Sequence, residues 1–357
     1  MSPSNPPNPA RAWADVNLAA LRENARTIQR AAAVPLLPMV KAGGYGLGAV
    51  AVAAALESLE PWGFGVAAVE EGIELRAAGI ARPVVVFTPA GAAARAEYQR
   101  HDLRAAIGDL EALDAWVASG LPFHLEIDTG MSRAGIRWDD RPALTAAAGL
   151  VAGAAGWEGA FTHFHSAESD PAATQGQWER LQEALGAFPR RPPLVHAANS
   201  AAALAGRRWA GDLVRPGIFL YGGDAGGPAP EPVVALRAPV VAMRRVRAGD
   251  TVSYGATWIA PEPCRIATIA AGYADGVPRA LSGRGEAEIG GIRMPIVGRI
   301  TMDMTMIRAD AGVALGDVAT LYGGVVGLEE QAARAGTIGY ELLTSIGPRV
   351  PRRYREG

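Results

Sequence analysis

The chain has 357 residues, more than one ordinary domain holds and suited to a large barrel with a smaller module. Hydrophobic residues make up 49% and charged residues 20%, the balance of a globular protein with a sizeable core. A formal net charge of -2 removes any bulk drive toward nucleic acid or an anionic membrane, and no apolar run of roughly 18 residues reads as a membrane span.

In chain order, "MSPSNPPNPA" (1–10) is polar and proline-rich and predicts a disordered lead-in rather than a signal peptide. From about residue 35 to 222, short apolar runs alternate with alanine- and leucine-rich stretches of helical spacing. The runs are "LLPMVK" (36–41), "WGFGVAA" (62–68), "PVVVF" (83–87), "RAAIG" (104–108), "FHLEIDTG" (123–130), "WEGAFTHF" (157–164), "PLVHAANS" (193–200) and "LVRPGIFLY" (213–221). Eight strand-helix units in succession predict an α/β fold, an N-terminal (β/α)8 TIM barrel over residues 11–228. The fourth run follows from spacing more than from composition. "GGDAGGPAPEP" then reads as a linker, and residues 229–357 read as a C-terminal, mostly β domain, with little helical pattern before "LEEQAARAG". The single cysteine, Cys264, excludes an intrachain disulfide and a cysteine-rich metal site, so the expectation is a soluble cytoplasmic enzyme with no metal.

In a barrel the active site forms where the strands end. Lys41 ends the first predicted strand, Arg133 follows the fifth, and His163 ends the sixth. Asn199 and Ser200 end the seventh, and Arg215 and Gly217 lie in the eighth. Loops after the last two strands commonly hold phosphate, and a serine hydroxyl with glycine backbone suits that role. A phosphate site beside a strand-end lysine points to a phosphorylated aldehyde, pyridoxal 5'-phosphate, bound to the lysine amine. Each residue also has a structural reading. Lys41 is compatible with a snorkelled surface lysine, Asn199 or Ser200 with a helix N-cap, His163 with a hydrogen-bonded core histidine, and Arg215 with an ion pair.

The segments "MVKAGGYGLG", "DTGMSRAGI", "THFHSAE", "HAANSAAAL", "VRPGIFLYG", "VSYGATW", "IAAGYADGVPRALS", "VGRITMDM" and "GPRVPRRY" resemble, in order, those of the alanine racemase family. The resemblance spans nearly the whole chain. It implies the fold-type III pyridoxal phosphate architecture, with the first strand near Trp13 joining the β domain. It also implies a homodimer with shared active sites that racemises alanine and supplies D-alanine for peptidoglycan. Lys41 then acts as base for the D-enantiomer and Tyr254 of the partner subunit for the L-enantiomer, with His163 and Arg215 tuning the tyrosine. Arg215 faces the pyridine nitrogen, and Tyr45, Ser200, Gly217, Ile218 and Tyr354 correspond to phosphate contacts. Arg133, Met302 and adjacent Asp303 correspond to substrate contacts, and Tyr273 to an entrance gate. Alternatives within the same architecture are a racemase for serine or a broad range of amino acids, a non-catalytic cofactor-binding barrel, and a decarboxylase using a β-domain cysteine. The second domain with Tyr254 argues against the second of these, and the setting of Cys264 in "EPCRIATIA" against the third.

Two departures from the family pattern stand out. Many members carry a carbamylated lysine where this chain has Glu126, so Glu126 is expected to orient Arg133 directly. Gly43-Gly44 replaces the usual Asn-Ala, which predicts a looser loop around Tyr45, and Gly339 replaces an asparagine in "TIGYE".

Overall fold

A computed structural model describes residues 11–356; the predicted lead-in over 1–10 lies outside the described residues. The strands Phe64–Val66, Val84–Val86, Leu103–Ile107, Phe123–Asp128, Trp157–Phe161 and Leu194–His196 pair in parallel, each with the next. Helices lie between them, among them Val69–Ala77, Leu110–Val117, Arg141–Val151 and Pro171–Leu185. Two irregular segments complete the ring. Leu36 bridges Val214 and Met39 bridges Gly65, both in parallel. Leu37 N–H donates to Val214 O at 2.8 Å and Arg215 N–H to Ala198 O at 2.8 Å. The first and eighth barrel positions are thus occupied, as the alternation predicts, but as bridges rather than full ladders. Pro35, Pro38 and Pro216 remove the N–H donors that longer ladders would need.

The outer helices follow ordinary rules. Leu18–Ala32 is capped by Asn17, whose side chain accepts from Ala20 N, and it buries Leu18, Leu21, Ala25, Ile28 and Ala32 at three- to four-residue spacing. In the strand Phe123–Asp128 every residue is buried. Alternation carries His124, Glu126 and Asp128 to the face opposite Phe123, Leu125 and Ile127.

The second region is organised around the 13-residue strand Val234–Val246. It pairs antiparallel with Trp13–Asn17, Cys264–Ile269 and Val318–Tyr322. Trp13–Asn17 also runs parallel to Arg352–Arg355, so the N-terminal strand is shared with this sheet. Cys264 begins its own strand and is a free thiol.

The segment after Lys41 is a left-handed turn. Ala42, Gly43, Gly44 and Tyr45 have φ values of 53°, 60°, 64° and 52°. L-residues pay for this conformation, roughly 1–2 kcal/mol each in a left-handed helix, whereas glycine adopts it freely. Gly43 and Gly44 therefore fit the turn's geometry. At Gly44 a side chain would also meet the Ala49 backbone at 3.0 Å. The predicted loosening does not follow, because the turn is pinned. Gly44 N–H donates to Val40 O at 2.8 Å, Gly48 N–H to Gly43 O at 2.7 Å, and Ala42 N–H to Glu71 Oε1 at 2.5 Å.

Candidate active site

At the end of the barrel strands lies a cavity of about 160 Å³. It brings together Lys41, Tyr45, Glu126, Arg133, His163, Asn199, Ser200, Arg215, Gly217 and Ile218, drawn from the first, fifth, sixth, seventh and eighth barrel positions. Lys41 is the only lysine among the chain's 34 lysines and arginines. Burial, reinforced by the charges of Arg133 and Arg215, pulls its amine below the usual lysine range, with Glu71 opposing. An amine so placed gives up its proton more readily than a surface lysine does.

One end of the cavity is a cradle of hydroxyls and backbone N–H groups. Ser200 Oγ accepts from Gly217 N at 2.9 Å and from Phe219 N at 3.4 Å. Asn199 is the N-cap of the short helix Ser200–Leu204, its side chain accepting from Ala202 N, so its structural reading and its position on the cavity wall both hold. Tyr45 stacks on Tyr221 with ring centroids 4.4 Å apart, and Tyr221 Oη donates to Met39 O at 2.7 Å. A Cβ on Gly217 would lie 2.3 Å from Tyr45 Oη, so only glycine admits the tyrosine here. A hydroxyl pair, glycine backbone and a facing amine match a phosphorylated aldehyde.

Across the cavity Arg215 is 5% exposed and hydrogen-bonded through both terminal nitrogens. It donates to Thr162 O at 2.8 Å, Ala197 O at 3.1 Å, His196 Nδ1 at 2.6 Å and His163 Nδ1 at 3.4 Å. Burial lowers its pKa to about 10, leaving it charged at neutral pH. Burial and the Arg215 charge push His163 down to about 3, so its ring is neutral.

Glu126 is buried and its pKa is raised by that burial, against the opposing charges of Arg133 and Arg215. Direct pairing with Arg133 is not formed among the described residues. Arg133 instead sits exposed on the loop after the strand, where water solvates it, and the two interact across the cavity wall through charge.

Tyr354 is a correction to the expected cradle. Its ring lies on the far side of the loop, where Tyr354 Oη donates to Leu47 O at 3.0 Å. Its strand, Arg352–Arg355, is fixed by parallel pairing to Trp13–Asn17, which holds it off the cavity wall. Tyr340 lines the cavity instead, 6.0 Å from Tyr45 by centroids, and burial raises it to about 12. The tyrosine of "TIGYE" was the better signal. Glu71 was also missed; besides Ala42 N, it accepts from Ala67 N at 2.7 Å and Ala68 N at 3.2 Å, tying the lysine turn to the second barrel strand.

Tyr254, Met302, Asp303 and Tyr273 do not line this cavity; they lie in the second region of the same chain. Tyr254 is 72% exposed, and Met302 and Tyr273 are exposed too. They share one surface: Tyr273 N–H donates to Thr301 O, Ala274 N–H to Met302 O, and Ser253 Oγ to Arg299 O. Arg349 clasps Asp303 at 2.8 Å and Asp275 at 2.7 Å, fixing this surface.

A family model described as the N-terminal domain of alanine racemase matches residues 16–225, and one for its C-terminal domain matches residues 233–354. The chain belongs to the alanine racemase family. An alanine racemase of Acidiphilium cryptum (strain JF-5) is 38% identical over 88% of this chain and 90% of its own length. One from Methylobacterium sp. (strain 4-46) is 38% identical over 97% and 98%. Among solved structures, the alanine racemase from Bartonella henselae with covalently bound pyridoxal phosphate superposes with a TM-score of 0.91 at 31% identity, covering 97% of this chain and 100% of that one. That from Bacillus anthracis with bound L-Ala-P gives 0.90 at 32%, covering 98% and 96%. The barrel and the mostly β second domain are thus those of the alanine racemase family. Among the described residues no helix is long and apolar enough to cross a membrane, and no acidic, histidine or cysteine cluster could hold a metal.

Proposed function

We propose that the chain interconverts L- and D-alanine using pyridoxal 5'-phosphate, in a homodimer whose two sites are each completed by the partner subunit. The observation that carries this reading is the sole lysine, set with a lowered pKa in a cavity facing a buried arginine and a hydroxyl–glycine cradle. Lys41 would hold the cofactor through its amine; Tyr45, Ser200, Gly217 and Ile218 would hold its phosphate, and Arg215 its ring nitrogen. When bound, the cofactor withdraws electrons from the substrate and makes its Cα proton removable.

The protein groups do the rest. Racemisation needs an acid/base group on each face of Cα. Lys41 takes the proton at Nζ on one face, its lowered pKa favouring the neutral amine. On the other face Tyr254 of the partner subunit does so at Oη; its exposure on an unpaired surface beside Met302, Asp303 and Tyr273 supports that placement. Arg215 carries only donors and takes up no proton, so it limits the charge withdrawn from the reacting carbon. Arg133 and the Met302 backbone N–H of the partner subunit bind the substrate carboxylate. The D-alanine made is suited to feed peptidoglycan precursors, and the surroundings would be the cytoplasm.

The test is a racemisation assay on purified protein across L-alanine, L-serine and larger L-amino acids, with absorption scanned at about 420 nm. Conversion of alanine with the band present supports the proposal. Conversion of serine at equal or greater efficiency would replace it with a broader racemase, and absence of the band would overturn it.

Glu126 is assigned the task of holding Arg133 over the cavity through charge alone. Glu126→Gln is expected to raise the KM for alanine roughly three- to tenfold, with kcat changed less, since an exposed partner tunes position by about 1 kcal/mol. Unchanged steady-state kinetics would assign Glu126 to barrel packing.

A further inference from the structure

Below the cavity a line of hydrogen bonds crosses the barrel interior. Arg215 Nη1 lies 2.6 Å from His196 Nδ1, His196 Nε2 lies 2.7 Å from His124 Nδ1, and His124 Nε2 lies 3.3 Å from Glu158 Oε2. Both histidines are fully buried, whereas the Glu158 side chain is 28% exposed at the other end. Arg104 stands beside that carboxylate at 3.5 Å.

The end groups fix the direction of every proton in the line. An arginine only donates, so His196 Nδ1 must accept, which places the His196 proton on Nε2. That proton points at His124 Nδ1, which must therefore accept, and the His124 proton falls on Nε2 facing Glu158. An ionised carboxylate only accepts, so the line closes without conflict. Reversing any one ring would set two N–H groups against each other. Burial pushes both histidines below their usual range, so both rings are neutral, as the pattern requires.

The surroundings are built for these rings. Phe161 stacks on His196 at 5.2 Å with planes 2° apart, and Trp62 meets His124 edge-on at 5.7 Å. A Cβ on Gly159 would lie 2.5 Å from His124 Nδ1, so the glycine leaves the space that the ring occupies. In such an apolar sheath an unpaired ring nitrogen costs about 1–3 kcal/mol, and water has little room to repair it.

We propose that Glu158 is a remote positioning residue, whose carboxylate accepts the last proton of the line, anchors the His124 and His196 rings in the tautomers that Arg215 dictates, and thereby holds the orientation of Arg215 in the cavity. The effect on catalysis rests on the function proposed above; the tautomer order does not. The test is two-bond ¹⁵N–¹H correlation of ¹⁵N-histidine-labelled holoenzyme, with the rings assigned by single replacement. Both His124 and His196 are expected as neutral Nε2–H forms, in the wild type and in Glu158→Gln, whose amide oxygen still accepts. Glu158→Met, nearly isosteric but without an acceptor, is expected to keep the Nε2–H tautomers that Arg215 imposes but to shift the His124 Nε2 resonance clearly and those of His196 less, as the line loses its anchor. Its kcat should fall roughly five- to tenfold, the worth of about one net hydrogen bond, with KM little changed. A wild-type Nδ1–H or doubly protonated ring at either position, or resonances of both rings and kcat unaltered in Glu158→Met, overturns the proposal. The predicted tautomers and the Glu158→Met resonance shifts in a protein that racemises nothing would sustain the hydrogen-bonded line and refute the function.

Discussion

Replacing Lys41 with alanine is expected to abolish the absorption band at about 420 nm and to lower alanine racemisation by about 10³-fold or more. The chain holds no second lysine to take over the amine's work, so the loss should be near complete. Cofactor uptake by the wild-type apoprotein gives a second readout. Only the neutral amine attacks an aldehyde, and burial together with Arg133 and Arg215 lowers the Lys41 pKa from 10.5. Uptake should therefore accelerate as pH rises and level off below pH 10.5. A band that persists in Lys41→Ala, or an uptake rate still climbing past that pH, would remove Lys41 from its proposed place.

Tyr254→Phe should be the next most damaging change, costing about 10²- to 10⁴-fold in rate, because it removes one of two acid/base groups and leaves the ring. Its cofactor band should remain, since Lys41 and the Tyr45, Ser200 and Gly217 cradle are left intact. The stronger expectation comes from mixing. In a heterodimer of Lys41→Ala and Tyr254→Phe subunits, one site carries both changes and the other carries neither. Two inactive proteins, dissociated and reassociated together, should regain about a quarter of wild-type activity under random pairing of a two-fold dimer. Failure to regain any, when each subunit is shown to pair, would place Tyr254 in the wrong site or the wrong role.

Most of the barrel was legible because eight short apolar runs alternate with helical spacing. What could not be read was how the ring closes. Prolines within the first and last runs reduce them to single bridges, and ladder length is a matter of donors rather than of hydropathy. On the site side, lysine, histidine and arginine at strand ends were visible as residues out of keeping with apolar surroundings. Choosing between Tyr340 and Tyr354 needed the register of Arg352–Arg355 against the N-terminal strand, which no local pattern carries. Glu126 read as the direct partner of Arg133, but loop exposure leaves them coupled only by charge. The histidine line was hidden for a similar reason. His124 and His196 are 72 positions apart and His124 and Glu158 are 34 apart, so periodicity marks which face each occupies but not which partner it meets. The turn at Gly43-Gly44 read as slack because glycine is permissive, while its four positive φ angles make it a demanding shape.

A chain with one lysine also has an unusual chemical address. Reagents that seek primary amines find a single side chain, enclosed at the catalytic rim, and otherwise only the terminal amine. Hydride trapping of a bound aldehyde should therefore mark one peptide and leave the exterior untouched. Bifunctional amine cross-linkers, which commonly join subunits through surface lysines, have no such anchors on this protein. Subunit association has to be captured through carboxylates or by mass instead, and a stray aldehyde has almost nothing outside the site to modify.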